Sequence, residues 1–188
     1  IRKGGAVIWP ILGVALVAAL VALAKWISLA LVRMPAERSV RRLLDAVEKN
    51  DQAAAIEAAR GLRGPAGAML RAGAAHLGQT KELIEEVMFE TMLDARFRFQ
   101  RMLPFVAVSA ACAPLLGLLG TVTGIISTFK LLTVFGSGDI KMLSAGISEA
   151  LITTEFGLYV AIPSLLAHSF LSRKAKALSD RMERLAIA

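Results

Sequence analysis

Glu149 and Glu155 are the only charged residues between positions 142 and 172, a stretch otherwise made of apolar and small side chains. A charge at bilayer depth costs about 2.5–3.5 kcal/mol on insertion scales. That is too much for an incidental surface group, so such a carboxyl faces a protein interior or water, or carries a proton. A glutamate held there is suited to taking up and releasing protons. At about 100° of arc per residue, Thr153 lies roughly 40° from Glu149, Thr154 about 140° and Glu155 about 240°. Polar groups therefore stand on more than one side of the helix, which suits a helix packed between neighbours. Glu155 is equally suited to pairing with a partner's Lys or Arg.

A second polar set lies in residues 102–129, which carry no charge over 28 positions but include Ser109, Thr121, Thr123, Ser127 and Thr128. Thr121 and Thr128 are seven apart and share a face. A lone intramembrane threonine commonly bonds its own i−4 carbonyl; for this cluster a shared polar track is the preferred reading. Gly120 and Gly124 form a small-xxx-small pair, with Gly117 one turn earlier, that lets helices approach closely. The expected ion pathway is thus Thr121, Glu149, Thr153, Thr154 and Glu155, and the expected packing residues include Gly117, Gly120 and Gly124.

No constellation of a soluble enzyme accompanies these groups. His76 and His168 lack the spacing of a metal pair, and no Gly-Lys-Ser/Thr follows the glycines. The single cysteine, Cys112, excludes an intrachain disulfide framework and a multi-cysteine zinc site. The chain is expected to be no enzyme and to need no cofactor or metal. His76 reads as a solvated loop residue and His168 as a polar group at a helix end.

These residues must be positioned by membrane helices. Hydrophobic residues make up 56% of the 188 and aromatics only 6%, a composition opposed to disorder. Residues 4–24 carry no charge for 21 positions. About 20 apolar residues cross the hydrocarbon at 1.5 Å per residue, so three spans are expected. They divide the chain into a first transmembrane helix with periplasmic N-terminus (1–32), a cytoplasmic helical segment (33–101), a second span (102–132), a periplasmic loop (133–141) with Gly136 and Gly138 as turn residues, a third span (142–172) and a cytoplasmic C-terminal helix (173–188). Trp9 and Trp26 stand about 26 Å apart along a helix, fitting interfacial anchors on the first span as well as ordinary packing. The first stretch exceeds a secretory h-region and the chain opens at Ile1, so a longer chain upstream is expected rather than a signal peptide.

Charge sets the orientation. Of the 22 Lys and Arg, 18 fall on the side holding residues 33–101 and the C-terminus, and four on the other. The positive-inside rule makes the richer side cytoplasmic, hence N-out and C-in. The net +7 reads as topology plus contact with anionic lipid headgroups. Segment 33–101, with 12 basic and 10 acidic residues, is too balanced for a nucleic-acid footprint.

The cytoplasmic part reads as helical. Val40, Leu43, Leu44 and Val47 make one apolar stripe, and a break is expected from Gly61 to Gly67. Ile84, Met88, Met92, Ala95, Phe99 and Met102 form another stripe, running into the second span as one long helix. Ala175, Leu178, Met182 and Leu185 extend the third. The fold class is an all-α membrane protein with long cytoplasmic extensions of spans two and three.

Residues 114–129, PLLGLLGTVTGIISTF, and 146–163, GISEALITTEFGLYVAIP, resemble the two signature segments of the ExbB/TolQ/MotA proton-channel family, the ExbB/TolQ branch in particular. The resemblance covers about 102–172; residues 1–100 match only in general character. It implies a Gram-negative inner-membrane protein assembling as a ring-shaped homopentamer. Spans two and three would line a lumen holding a dimer of single-span ExbD/TolR-like subunits, each with a membrane Asp. Ion flow would pass force to a TonB- or TolA-like protein. The family's Thr of its Gly-Thr-Val segment falls on Thr121, its Glu on Glu149, its next Thr on Thr154 and its Pro on Pro163, which joins the packing residues. The expected service is ExbB-like, energising outer-membrane import, with TolQ-like service in the Tol-Pal envelope system or a purely structural scaffold as alternatives. Three spans and a short cytoplasmic segment weigh against a flagellar stator. Glu155 stands where many relatives carry a small residue, and His168-Ser169 where many carry Tyr-Asn. The implied coupling ion is the proton, with sodium left open by the extra carboxylate.

Overall fold

The structure, a computed structural model, describes residues 7–135 and 140–187. Seven helices appear among them: α1 (Ile8–Ala30), α2 (Glu37–Glu48), α3 (Gln52–Arg60), α4 (Gly64–Ala75), α5 (Lys81–Gln100), α6 (Leu103–Phe135) and α7 (Ile140–Ile187), with no strand among the described residues. Three, α1, α6 and most of α7, are long and apolar enough to cross a membrane. The all-helical, three-span expectation is met.

The chain divides into two compact units, one holding residues 1–25 and 102–171 and the other 26–101 and 172–188. In the first, α1 buries Ile8, Ile11 and Ala18 along one face and exposes Trp9, Leu16, Leu20 and Leu23 on others. Both Trp9 and Trp26 are exposed, which fits interfacial anchors better than internal packing. Helices α6 and α7 lie antiparallel along a line of small residues. A Cβ added at Gly117 would stand 3.0 Å from the Thr154 Cα, and one at Gly124 would stand 2.7 Å from the Ala150 Cβ. One at Gly157 would stand 2.7 Å from the Ala113 carbonyl oxygen, and one at Gly120 would strike the Thr153 methyl. In hydrocarbon, where lipid is as apolar as leucine, close backbone approach of this kind drives association through dispersion contacts.

The second unit is a small helical subdomain. Val40, Leu43, Ala46, Ala55, Ala59, Leu62, Met69 and Leu70 form its core, with Ala95 and Phe99 of α5 and Ala175, Leu178 and Met182 of α7 also buried. The expected C-terminal stripe is thus the buried face of α7 there. Ala46 rather than Val47 is buried on α2, and Val47 is exposed: the apolar residue at the stripe's end lies a quarter turn off the packed line. Asn50 takes a left-handed φ of 55° and the Asp51 carboxylate accepts the Ala54 N–H at 3.0 Å, capping α3.

The Gly61–Gly67 segment is not one break. The chain turns at Gly61–Arg63 and is helical from Gly64, with Pro65 in the first turn, where its missing N–H costs nothing. Gly64 holds φ at +84° and its missing Cβ would run into the Arg33 carbonyl. Gly64→Ala is expected to destabilise this unit by about 1–2 kcal/mol, read as a lower melting midpoint of the detergent-solubilised protein.

The α5 stripe and the second span are also not one helix. Ala95 and Phe99 are buried, Ile84, Met88 and Met92 half-buried, and Met102 is exposed with φ of 73°. The Arg101 N–H closes α5 onto the Phe97 carbonyl at 2.9 Å, and α6 starts at Leu103. The left-handed Met102 makes the break, and Pro104 falls in the first turn of the new helix, where its missing N–H costs nothing. Helix α6 also runs through Phe135, and α7 starts at Ile140, both inside the segment read as a loop. Its turn residues Gly136 and Gly138 lie outside the described residues, as do Arg2 and Lys3.

Candidate functional site

The α6/α7 seam carries the polar residues. Five contacts define its register: Ala113 against Gly157, Gly117 against Thr154, Gly120 against Thr153, Gly124 against Ala150, and Thr128 against Gly146. Gly117, Gly120 and Gly124, expected as packing residues, all lie close against α7. Pro163 does not join them; it sits inside α7 and is exposed. The complementary line on α7, Gly146, Ala150 and Gly157, was not among the expected packing residues, although its intervals of four and seven are a helical period of small side chains.

Most hydroxyls bond within their own helix. Thr121 Oγ1 donates to the Leu118 carbonyl at 2.7 Å, Thr123 to Leu119 at 2.9 Å, Thr128 to Gly124 at 2.9 Å and Thr153 to Glu149 at 3.0 Å. For these the local reading replaces the shared track, because a helical carbonyl one turn back is always within reach and has a spare lone pair. Thr154 differs. Its Oγ1 donates across the seam to the Gly117 carbonyl at 3.0 Å. In a regular helix that same carbonyl accepts the Thr121 N–H. Thr154 is thereby tied to the turn of α6 that presents Thr121.

Thr153, expected in the pathway, lies inside the seam. It is only 2% exposed and its methyl faces Gly120, so it fills the seam and lines no open face. Glu149 is exposed, one residue from buried Ala150, at the edge of the seam. Thr121 is half-buried at a seam edge. Glu155 is exposed and stands apart from both, two residues from buried Thr153 and two from buried Gly157, hence about 200° around α7 from the seam. The structure therefore groups Thr121 with Thr154, keeps Glu149 beside the seam and sets Glu155 on the far side.

The histidines move from their expected settings. His76 caps α4 half-buried, its Nδ1 2.8 Å from the Ala72 carbonyl oxygen. His168 lies well inside α7, not at a helix end. Among the described residues no cluster of His, Cys, Asp or Glu could hold a metal.

Removing the cross-seam bond while keeping the side chain's shape tests its structural weight. Thr154→Val is expected to weaken the α6/α7 pairing by about 0.6–1 kcal/mol and Thr154→Ser to leave it unchanged, measured as unfolding of the solubilised protein in increasing SDS.

Three helices apolar enough to cross a membrane, a backbone-close antiparallel pair and ionisable groups within an otherwise apolar helix point to a polytopic membrane protein of channel type. The chain belongs to the MotA/TolQ/ExbB proton channel family, whose sequence profile matches residues 62–184. It is 40% identical over 77 residues to the Tol-Pal system protein TolQ of Haemophilus influenzae, covering 41% of this chain and 34% of that protein. It is 37% identical over 108 residues to the biopolymer transport protein ExbB of Helicobacter pylori, 53% of this chain and 74% of that one. It is 34% identical over 168 residues to the putative biopolymer transport protein ExbB-like 1 of Synechocystis sp., 87% of this chain and 66% of that one. The chain spans about a third of the TolQ relative's length. Relatives of both names place it in the ExbB/TolQ branch.

Proposed function

We propose that the chain is the ring-forming proton-channel subunit of a motor driven by the proton-motive force in the inner membrane of a Gram-negative bacterium, oriented N-out and C-in. The observation that carries this reading is the Thr154–Gly117 bond beside Thr121, with the Glu149 carboxyl exposed along the same helix pair. It leaves two hydroxyls at one edge of a tight seam and an ionisable group at the other, both open to other proteins of a complex. Five copies form a ring around a dimer of single-span ExbD/TolR-like subunits. The membrane Asp of that partner carries the proton past Glu149 and the Thr121/Thr154 ring. A charged Asp competes with the Leu118 and Gly117 carbonyls for the O–H donors of Thr121 and Thr154, and its protonation ends that competition and releases it to move on. The resulting movement passes force to a TonB-like protein, energising outer-membrane import. The proton is the coupling ion, with sodium tested alongside it.

TolQ-like service, with a TolA-like partner in the envelope, is a second reading favoured by the TolQ relatives. The two separate on what co-purifies and on which growth defect a deletion causes: loss of import or loss of envelope integrity. The core proposal is tested by native mass measurement of the purified complex and by proton uptake in vesicles. Five copies with two single-span subunits and proton conduction on imposing a potential are expected. A monomeric chain, or an assembled complex silent to both proton and sodium gradients, overturns it in favour of a scaffold.

A further inference from the structure

Glu155 has no role in the pathway described above, and its place in the fold calls for a cover. It lies on the face of α7 turned away from α6, beside exposed Tyr159. The α1 helix of the same chain does not cover this face, since Leu151, Tyr159, Ile162 and Leu166 on or beside it all remain more than half exposed. Lipid is a poor cover for a carboxyl at this depth.

The outer face of α6 has the complementary pattern. Leu115 stands two residues from Ala113 and two from Gly117, both in the seam, and Val122 stands likewise between Gly120 and Gly124. Both point about 200° away from the seam, and both are exposed. The seam register puts Glu155 level with residue 116 or so, next to Leu115, and Tyr159 level with exposed Ala111. A large ring thus stands at the height of a small side chain, and the carboxyl at the height of a leucine. The two outer faces lie on opposite sides of one helix pair, so α7 of one copy meeting α6 of the next is a head-to-tail contact, the kind that closes rings.

We propose that Glu155 lies between two copies of this chain, on the α7 face that packs against Leu115 and Ala111 of the neighbouring copy's α6, and that it acts in assembly, not in ion passage. This rests on the ring reading above. It commits the α7 outer face to a second copy of the chain and leaves the single-span partner to the seam edge with Thr121 and Thr154.

The test is paired cysteine cross-linking in membranes of cells making the full complex, with Cys112→Ala as background. Glu155→Cys combined with Leu115→Cys is expected to give a ladder of covalent multimers on copper-catalysed oxidation, while each single change gives monomer. Within one chain the two positions face opposite ways, so a ladder reports neighbours. Glu155→Gln is expected to retain the ring at wild-type yield and Glu155→Lys to cut it at least fivefold. Native mass is measured in parallel. A ring of normal mass with no ladder, or a covalent adduct to another protein only, overturns the placement of Glu155 and leaves the channel reading standing. A ring that tolerates Glu155→Lys at wild-type yield overturns it too. A monomer in the unsubstituted protein overturns the ring itself.

Discussion

Glu149→Gln is expected to reduce proton flux and ion-coupled work to background, a loss of at least tenfold, with the complex assembling at normal mass. Glutamine keeps the shape and hydrogen-bonding reach of the side chain but neither ionises nor exchanges a proton. Glu149 is exposed in the single chain beside the seam, and its side chain fills no packed gap. Removing the charge therefore leaves the α6/α7 contacts alone. The measurement is pH change in vesicles under an imposed potential, with mass determined on the same preparation. Glu155→Gln serves as the contrast: one charge is removed from the same helix six residues on, with flux kept above half of wild type. Wild-type flux in Glu149→Gln at full assembly sinks the channel role of that residue. Equal loss in both variants would mean that charge anywhere on this helix matters, and the division of labour between the two glutamates fails.

Gly157→Val is the second large effect, and it is structural. A Cβ at this position stands 2.7 Å from the Ala113 carbonyl oxygen and 3.2 Å from the Gly117 Cα. Both are backbone atoms of α6 and cannot swing aside as a side-chain tip does. The helices must separate, with the cost of overpacking, about 1–3 kcal/mol, and with loss of the Thr154–Gly117 bond. Since that seam presents Thr121 and Thr154, loss of complex in native gels and loss of flux are expected together. Gly13→Ala is the control, because nothing stands within 4 Å of a Cβ there; it is expected to assemble normally. Gly146→Ala gives a graded case. Its added methyl meets the Thr128 hydroxyl, while the Thr128 Cβ is 3.3 Å away, so Thr128→Ala in the same chain is expected to restore assembly. Normal assembly of Gly157→Val would show that the seam is not where the helices meet.

Much of this was legible in the linear chain. Three spans follow from uncharged runs because hydrocarbon admits few charges and demands internally bonded backbone. Gly117, Gly120 and Gly124 announced a close contact, and α6 makes it. The threonines were harder. Their number suggested a common track, but a helical carbonyl lies within reach of each hydroxyl, and four of them take it. Thr153 and Thr154 both entered the expected pathway, and only the resemblance singled out Thr154. One residue of helical arc, about 100°, sends Thr153 into the seam and Thr154 across to Gly117. Pro104 was visible as a breaker, yet the stripe of α5 drew the helix through it.

The amino-acid sequence by itself determined the class of protein and the number of helices apolar enough to cross a membrane, because hydration cost follows from residue type and run length. Only the tertiary structure decided which polar group does what. That depends on which side of α7 faces α6, and small residues stood on several sides of both helices. Packing selected one line on each, Ala113 to Thr128 against Gly146 to Gly157. The choice places Thr153 inside the seam, Glu149 and Thr121 at its edges and Glu155 on the opposite face. Helical period turns a difference of a few positions in sequence into opposite surroundings, and the contact partner sets the phase.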